Sequence, residues 1–390
     1  MRPAIIVVAY SRPHSLARLL TSLAAADLDG SIDVPLVISI DHGGSPEVEN
    51  IATRFEWLNG PKSVIVHAER MGLRKHVLWC GDLAVEHGSA IILEDDLYVS
   101  PAFYRYAVDA LSVCAGQDRI AGISLYSMRI NEGVRRPFEP IDDGGNVYFL
   151  QLASSWGQIW TAKQWTAFRR WYDSAGWENG WDGVPSYIQA WPETSWKKYF
   201  TCYLVHEDRF FMYPRSSLTT NFGDAGTHAR AKVQLVQVPL LFRYRGLRYS
   251  PLEDAIPVYD AYMEIVPRSF HRLNPQLEGL DLEVDLYGSK PREALSQKPF
   301  VLTSRSGEDP AQTFCGSMRP HETGALLGVA GEDIRLLPGR SLATPEGKRN
   351  HPGPIPAYDY PLLGTRDALT FAGSRLWDAV TRWFRSGGRA

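Results

Sequence analysis

Residues 90–106 read AIILEDDLYVSPAFYRY, and the fold follows from them. Ala90–Leu93 is apolar throughout, as a strand buried on both faces requires. Three acids, Glu94, Asp95 and Asp96, follow without a spacer. Pro101 then opens a helix that runs to Ala115, with Phe103, Tyr106, Ala110, Leu111 and Cys114 along its buried side. A buried strand running into charged residues and then a helix is the repeating unit of a parallel α/β sheet.

Upstream the unit recurs. Ala4–Ala9, Leu36–Ile40 and Ser63–His67 read as further strands. Pro13 starts a helix with Leu16, Leu19, Leu20 and Leu23 on one face, and Leu73, Val77, Cys80 and Ala84 mark another. Right-handed crossovers follow from this order. Downstream, from Ser127 to Pro267, Trp, Tyr, Arg and Gly dominate and the periodicity weakens, with a helix expected over Ala162–Asp173. The runs LEVDLYG, PFVLTSR and EDIRLLP, between Leu280 and Pro338, alternate with Gly and Pro and predict a small β-rich module. Leu342–Tyr360 reads as a linker. The expected division is therefore 1–126, 127–266, 267–345 and 346–390.

The chain has 390 residues, 44% hydrophobic and 22% charged, with a net charge of −3, which disfavours a general nucleic-acid binder. Its four cysteines, Cys80, Cys114, Cys202 and Cys315, form no CxxC pair and read as free thiols of a reducing compartment. The first apolar run is too short for a signal core or a membrane span, which gives a cytoplasmic expectation. Between Thr365 and Ala390 lie five Arg and two Asp around the stripe Leu369, Ala372, Leu376, Val380 and Trp383. Such a helix either docks on its own domain or, through 365–385, contacts the inner face of a membrane.

Ligands of open parallel sheets bind beyond the carboxyl ends of the strands. There the sequence places Tyr10-Ser11-Arg12-Pro13, then Asp41-His42-Gly43-Gly44, then Glu94-Asp95-Asp96. No GxGxxG follows the first strand and no GxxxxGK[ST] occurs, which disfavours dinucleotide and P-loop sites. Three acids at the end of a buried strand need a cation. Hard oxygen ligands suit Mg²⁺ or Mn²⁺ with a substrate phosphate completing the shell; the alternative is a solvated turn.

VVAYSRP, VISIDHGG and IILEDDLYVSPAFYRY together resemble the N-acetylglucosaminyltransferase I family of GT-A enzymes and its bacterial relatives, over roughly residues 4–230. The resemblance implies a Rossmann-like, mostly parallel sheet flanked by helices. It also implies inverting transfer from a UDP-sugar, such as UDP-GlcNAc, with Mn²⁺ (or Mg²⁺), to a saccharide or lipid-linked acceptor. By position, Arg12 would meet the donor phosphate or base, Asp41 the uracil with Ser39 beside it, Glu94 and Asp95 the ribose and sugar, and Asp96 the metal.

Inverting transfer needs a base for the acceptor hydroxyl. SSWGQIWTAKQW resembles the family's approach to that base, and GWENGWDGVPSY then offers Asp182, with Glu178 as the alternative. The loop LTTNFGDAGTHA (218–229) supplies Asn221, Asp224, Thr227 and His228, the last as a further donor or metal contact. Arg74, Lys75 and His76 either face the donor phosphates or form an ordinary charged helix start. Two other classes remain: a sugar nucleotidyltransferase, against which the glycine-free SRPHSLARLL counts, and a non-catalytic carbohydrate-binding protein.

Overall fold

The computed structural model describes residues 2–28, 30, 33–224 and 235–342, and of the C-terminal stretch 358–359, 364, 366, 368–370, 372–374 and 376–377. The first half alternates strictly: β1 (Ala4–Ala9), α1 (Pro13–Ala24), β2 (Leu36–Ile40), α2 (Pro46–Arg54), β3 (Lys62–Val66), α3 (Gly72–Glu86) and β4 (Ser89–Glu94). Residues of β1, β2 and β4 are buried almost throughout, which explains why their sequences do not alternate in polarity. Pro13 occupies the first turn of α1, and Leu16, Leu19, Leu20 and Leu23 of that helix are buried against the sheet.

The chain continues through β5 (Leu97–Val99), α4 (Phe103–Cys114), β6 (Ile120–Ser124), the hairpin β7 (Ile130–Asn131) and β8 (Arg136–Pro137), β9 (Val147–Leu150) and β10 (Gln158–Thr161). Then come α5 (Ala162–Asp173), α6 (Ser186–Gln189), α7 (Trp196–His206), β11 (Phe210–Pro214), β12 (Thr219–Asn221) and β13 (Val258–Tyr259). These do not build a separate layer. β6, β9, β10, β11 and β13 extend the first four strands into one nine-stranded sheet, ordered β13-β9-β11-β6-β10-β4-β1-β2-β3. Five of its eight pairings are parallel; β10 runs antiparallel to both β4 and β6, and β9 antiparallel to β11. The sheet is therefore mixed but mostly parallel, with helices on its faces.

The aromatic richness is largely core. Trp160, Trp165 and Phe168 are fully buried and pack with Phe200 between α5, α7 and the sheet. A capping box at Thr161 and Gln164 starts α5 directly from β10. All four cysteines are free, three of them buried.

After α8 (Pro267–Leu273), a second sheet forms from β14 (Leu282–Asp285), β15 (Phe300–Thr303), β16 (Gln312–Phe314) and β17 (Ile334–Pro338), ordered β14-β15-β17-β16, with α9 (Arg292–Ser296) and α10 (Thr323–Leu326) alongside. Most of the expected linker and terminal helix lies outside the described residues; of the part described, Leu369, Leu376 and Trp377 are exposed. Among the described residues no helix is long and apolar enough to cross a membrane.

Candidate active site

The register of β1 with β2 and β4 sets Ala9 beside Ile40 and Val8 beside Glu94, so the three strands end level. Arg12, Asp41 and the acid triplet consequently share one rim. Arg12 reaches across it: Nη1 lies 2.7 Å from Asp96 Oδ2, and Nη2 is bonded to Asp95 Oδ1. Both aspartates are buried, Asp95 at 2% and Asp96 at 9% exposure. Burial pushes the Asp95 carboxyl up to about 6 although Arg12 pulls against it, and burial followed by repulsion from Asp96 raises Glu94. A positive charge at this spot is therefore a structural requirement, and Arg12 meets part of it. The other oxygen of Asp96, Oδ1, is buried with no hydrogen-bond partner.

That orphaned oxygen is where a divalent cation fits. Among the described residues no group of three or more His, Cys, Asp or Glu is placed to hold a metal. The donor set fits only an ion that takes most of its ligands from water and substrate phosphate, as Mg²⁺ and Mn²⁺ do at oxygen-poor sites.

Asp41 has a different task. Its Oδ1 accepts from the backbone N–H of His42 (2.9 Å) and Met71 (2.8 Å). Its Oδ2 accepts from the N–H of Gly72 (3.0 Å) and lies 2.9 Å from Arg70 Nε. Burial alone would raise this carboxyl; the backbone donors hold it below the usual carboxylate range. Asp41 thus ties the start of α3 to the end of β2 and fixes Arg70, whose guanidinium sits 3.7 Å over the Tyr10 ring. Behind it, Ser39 Oγ lies 2.7 Å from His76 Nε2 and 2.9 Å from His67 Nε2. Burial, then His67, pulls His76 down to about 4, and burial lowers His67 as well. Gly44 lies so close to the Tyr10 carbonyl that a Cβ would come within 1.9 Å of it, which leaves glycine as the one residue that fits.

On the other side of Glu94, β10 begins and β6 ends. Lys197, in the first turn of α7, is buried here, 3.6 Å from Glu132 and over the rings of Trp191 (4.9 Å) and Trp156 (5.4 Å); its charge also acts on Glu94. Glu193, just before α7, accepts from Tyr199 and from Lys198 (2.9 Å) and faces Arg74 of α3 at 4.0 Å. Glu132, Lys197 and Glu193 do not stand out in the sequence. None follows a long apolar strand, and only the meeting of the β7–β8 turn with α7 brings the first two together.

The described part of the loop expected over 218–229, up to residue 224, reaches the rim: β12 pairs with β5, and the Phe222 N–H bonds to the Asp96 carbonyl (3.1 Å). Asn221 accepts from Gly223, and Asp224 binds Ser15 and Arg18 of α1. Thr227 and His228 lie outside the described residues. Asp182 and Glu178 are exposed and are not brought to the triplet. Asp182 lines a cavity of about 620 Å³ with Trp181, Gln189, Asp260, Tyr262 and Lys290. Val205 also lines it, eight residues beyond Lys197 on α7, or about 12 Å along the helix.

No family model matches the chain. An alpha-1,3-mannosyl-glycoprotein 2-beta-N-acetylglucosaminyltransferase of Arabidopsis thaliana is 25% identical over 237 residues, covering 57% of this chain and 48% of that protein. The resemblance seen in the motifs is therefore also a measurable sequence similarity, although the chain spans only about half the length of the curated relative it matches. Among solved structures, TarS 1-349 of S. aureus is 15% identical, with 56% of this chain and 60% of that chain covered, at a TM-score of 0.36. The mannosyltransferase PcManGT from Pyrobaculum calidifontis, in complex with GDP-Man and Mn²⁺, is 12% identical, with 41% and 45% covered, at a TM-score of 0.28. At such scores these structural likenesses carry no argument about this chain.

Proposed function

We propose that the protein is an inverting glycosyltransferase that uses a nucleotide-sugar, and that the rim of β1, β2 and β4 is its donor site. The observation that carries this reading is the buried Asp95–Asp96 pair bridged by Arg12, with one Asp96 oxygen left without a partner. Such a site is made for an anionic ligand that arrives with a cation. Similarity to an N-acetylglucosaminyltransferase supports UDP-GlcNAc as the donor to try first.

In this reading Arg12 turns from the aspartates to the donor's diphosphate, and Glu94 and Asp95 take the ribose and sugar hydroxyls. Asp96 Oδ1 would hold Mn²⁺ or Mg²⁺, which would supply Lewis-acid neutralisation of the diphosphate charge. The nucleoside base lies along Tyr10 and Arg70, near Ser39; with its four donors in place, Asp41 acts through the turn it builds. The acceptor, a saccharide or a lipid-linked saccharide, enters from the side of Trp156. The exposed Leu369, Leu376 and Trp377, in an arginine-rich stretch, suit work at a membrane surface on the cytoplasmic side.

The test is direct. Purified protein is offered UDP-, GDP- and dTDP-sugars with Mn²⁺ or with EDTA, and released nucleotide is identified. Metal-dependent release of a nucleoside diphosphate is expected. Release of pyrophosphate would mark a nucleotidyltransferase, and no release from any sugar nucleotide would leave a binding protein.

A further inference from the structure

We propose that Glu132 takes the proton from the acceptor hydroxyl, with Lys197 as the residue that positions its carboxylate; this rests on the glycosyltransferase reading. The strand order sets the direction of the cleft. Along the rim from β2 to β1 to β4 come Asp41, Arg12 and the acid triplet, and the next strands are β10 and β6. A donor laid base-first along that row puts its anomeric carbon past the diphosphate, at Glu94. The acceptor must then come over the start of β10 and the end of β6.

Glu132 stands there. It opens the turn between β7 and β8, eight residues past the end of β6, and its side chain is 28% exposed. The turn is rigid. Asn131 accepts from the Gly133 N–H at 3.1 Å and donates to the Tyr262 carbonyl at 3.0 Å, and the Arg135 N–H bonds back to the Asn131 carbonyl at 2.8 Å. Tyr187 packs so closely on Gly133 that an added Cβ would lie 2.8 Å from its ring, and the Tyr187 hydroxyl is buried without a partner. Lys197, buried between Trp156 and Trp191, holds the carboxylate from the other side; Trp156 stands two residues before β10, the strand paired with β4, which sets Glu132 and Lys197 at the start of β10, next along the rim from Glu94. The competing acids are less suited. Glu193 is committed to Tyr199, Lys198 and Arg74, and Asp182 faces the separate cavity beside Lys290.

The step balances without further reactants. The acceptor oxygen bonds to the anomeric carbon as that carbon's bond to the phosphate oxygen breaks. The hydroxyl proton passes to a Glu132 oxygen, and the nucleoside diphosphate leaves with the bonding pair.

The experiment uses the full chain, UDP-GlcNAc as donor, water as acceptor and sodium azide as a nucleophile that has no proton to lose. Glu132→Gln is expected to lower the rate of UDP release by roughly a hundredfold or more, the scale of general-base catalysis, while UDP affinity measured by calorimetry stays within twofold. Azide is expected to restore UDP release in that variant with formation of a glycosyl azide. A merely structural role for Glu132 would give no such rescue. Undiminished hydrolysis in Glu132→Gln, a loss of rate matched by lost UDP binding, or azide rescue in Asp182→Asn instead of Glu132→Gln would each overturn the assignment. Silence of the unmodified protein with every sugar nucleotide would strike at the glycosyltransferase reading itself.

Discussion

Arg12 is bonded to two buried aspartates at once, so its charge is already shared between two carboxylates. In the proposed donor site, a diphosphate competes with the aspartates for that guanidinium, and the Asp96 charge it uncovers calls for a cation. Bonded to Ser39 of β2, His76 sets a different residue-scale expectation. Its folded pKa, about 4, lies below its ordinary value of 6.5, because burial and His67 disfavour the charged ring. Above pH 6.5 both folded and unfolded chains hold it neutral, and it has no effect on stability. Between 6.5 and 4 the unfolded chain takes up the proton first, so stability falls with pH; below about 4 the loss levels off. The full loss through this one group is about 3 kcal/mol. Urea unfolding at pH 7 and pH 4.5 is expected to show a smaller difference for His76→Gln than for the unmodified protein; equal differences would remove His76 as a cause.

At the scale of elements, the rim proposed for the donor was legible in the sequence as a cluster because each of its residues stands at the end of an apolar strand or within three positions of it. Arg12, Asp41 and Glu94–Asp96 need only strand ends and sheet direction to be placed. The side proposed for the acceptor was not legible. Glu132 and Lys197 are 65 positions apart, on a two-residue hairpin and a helix start, and neither element announces itself by periodicity. Asp182 was marked by a motif likeness alone, and the turn that carries it lies along α7, with Trp181 against Lys198 and Tyr199 and Gly183 beside Val205. The insertion of antiparallel β10 between β4 and β6 was also hidden, since QIWT reads equally as the lead-in to α5. That junction is tight. A Cβ on Gly122 of β6 would lie 2.5 Å from the Phe211 ring and 2.8 Å from Trp160 Nε1. Gly122→Ala is therefore expected to cost ~1–3 kcal/mol by overpacking, visible as a lowered thermal midpoint; an unchanged midpoint would show that the two rings can yield.

At the scale of the molecule, the two sheets are joined through charge as well as apolar packing. Lys290, at 7% exposure, pairs with Asp260 after β13 and with Glu283 of β14, at 2.6 Å, so a residue of the smaller sheet's first loop is locked to the end of the larger sheet. Composition and turn residues pointed to a β-rich module after residue 266, but not to this joint, which depends on three residues scattered over some thirty positions. The joint lies beside Asp182 and its cavity, whose lining includes none of Arg12, Asp41 and Glu94–Asp96, so the charged rim of the large sheet and the hollow where the module attaches are separate features.

The rim's proposed role is tested most directly by calorimetric binding of UDP, with Mn²⁺ and with EDTA, to the unmodified protein and to Asp96→Ala. Binding that requires Mn²⁺ and is lost in Asp96→Ala, while the variant keeps the thermal midpoint of a folded protein, is the expected result. UDP binding that ignores both EDTA and the substitution, or no UDP binding at all, would contradict a donor site at the ends of β1, β2 and β4.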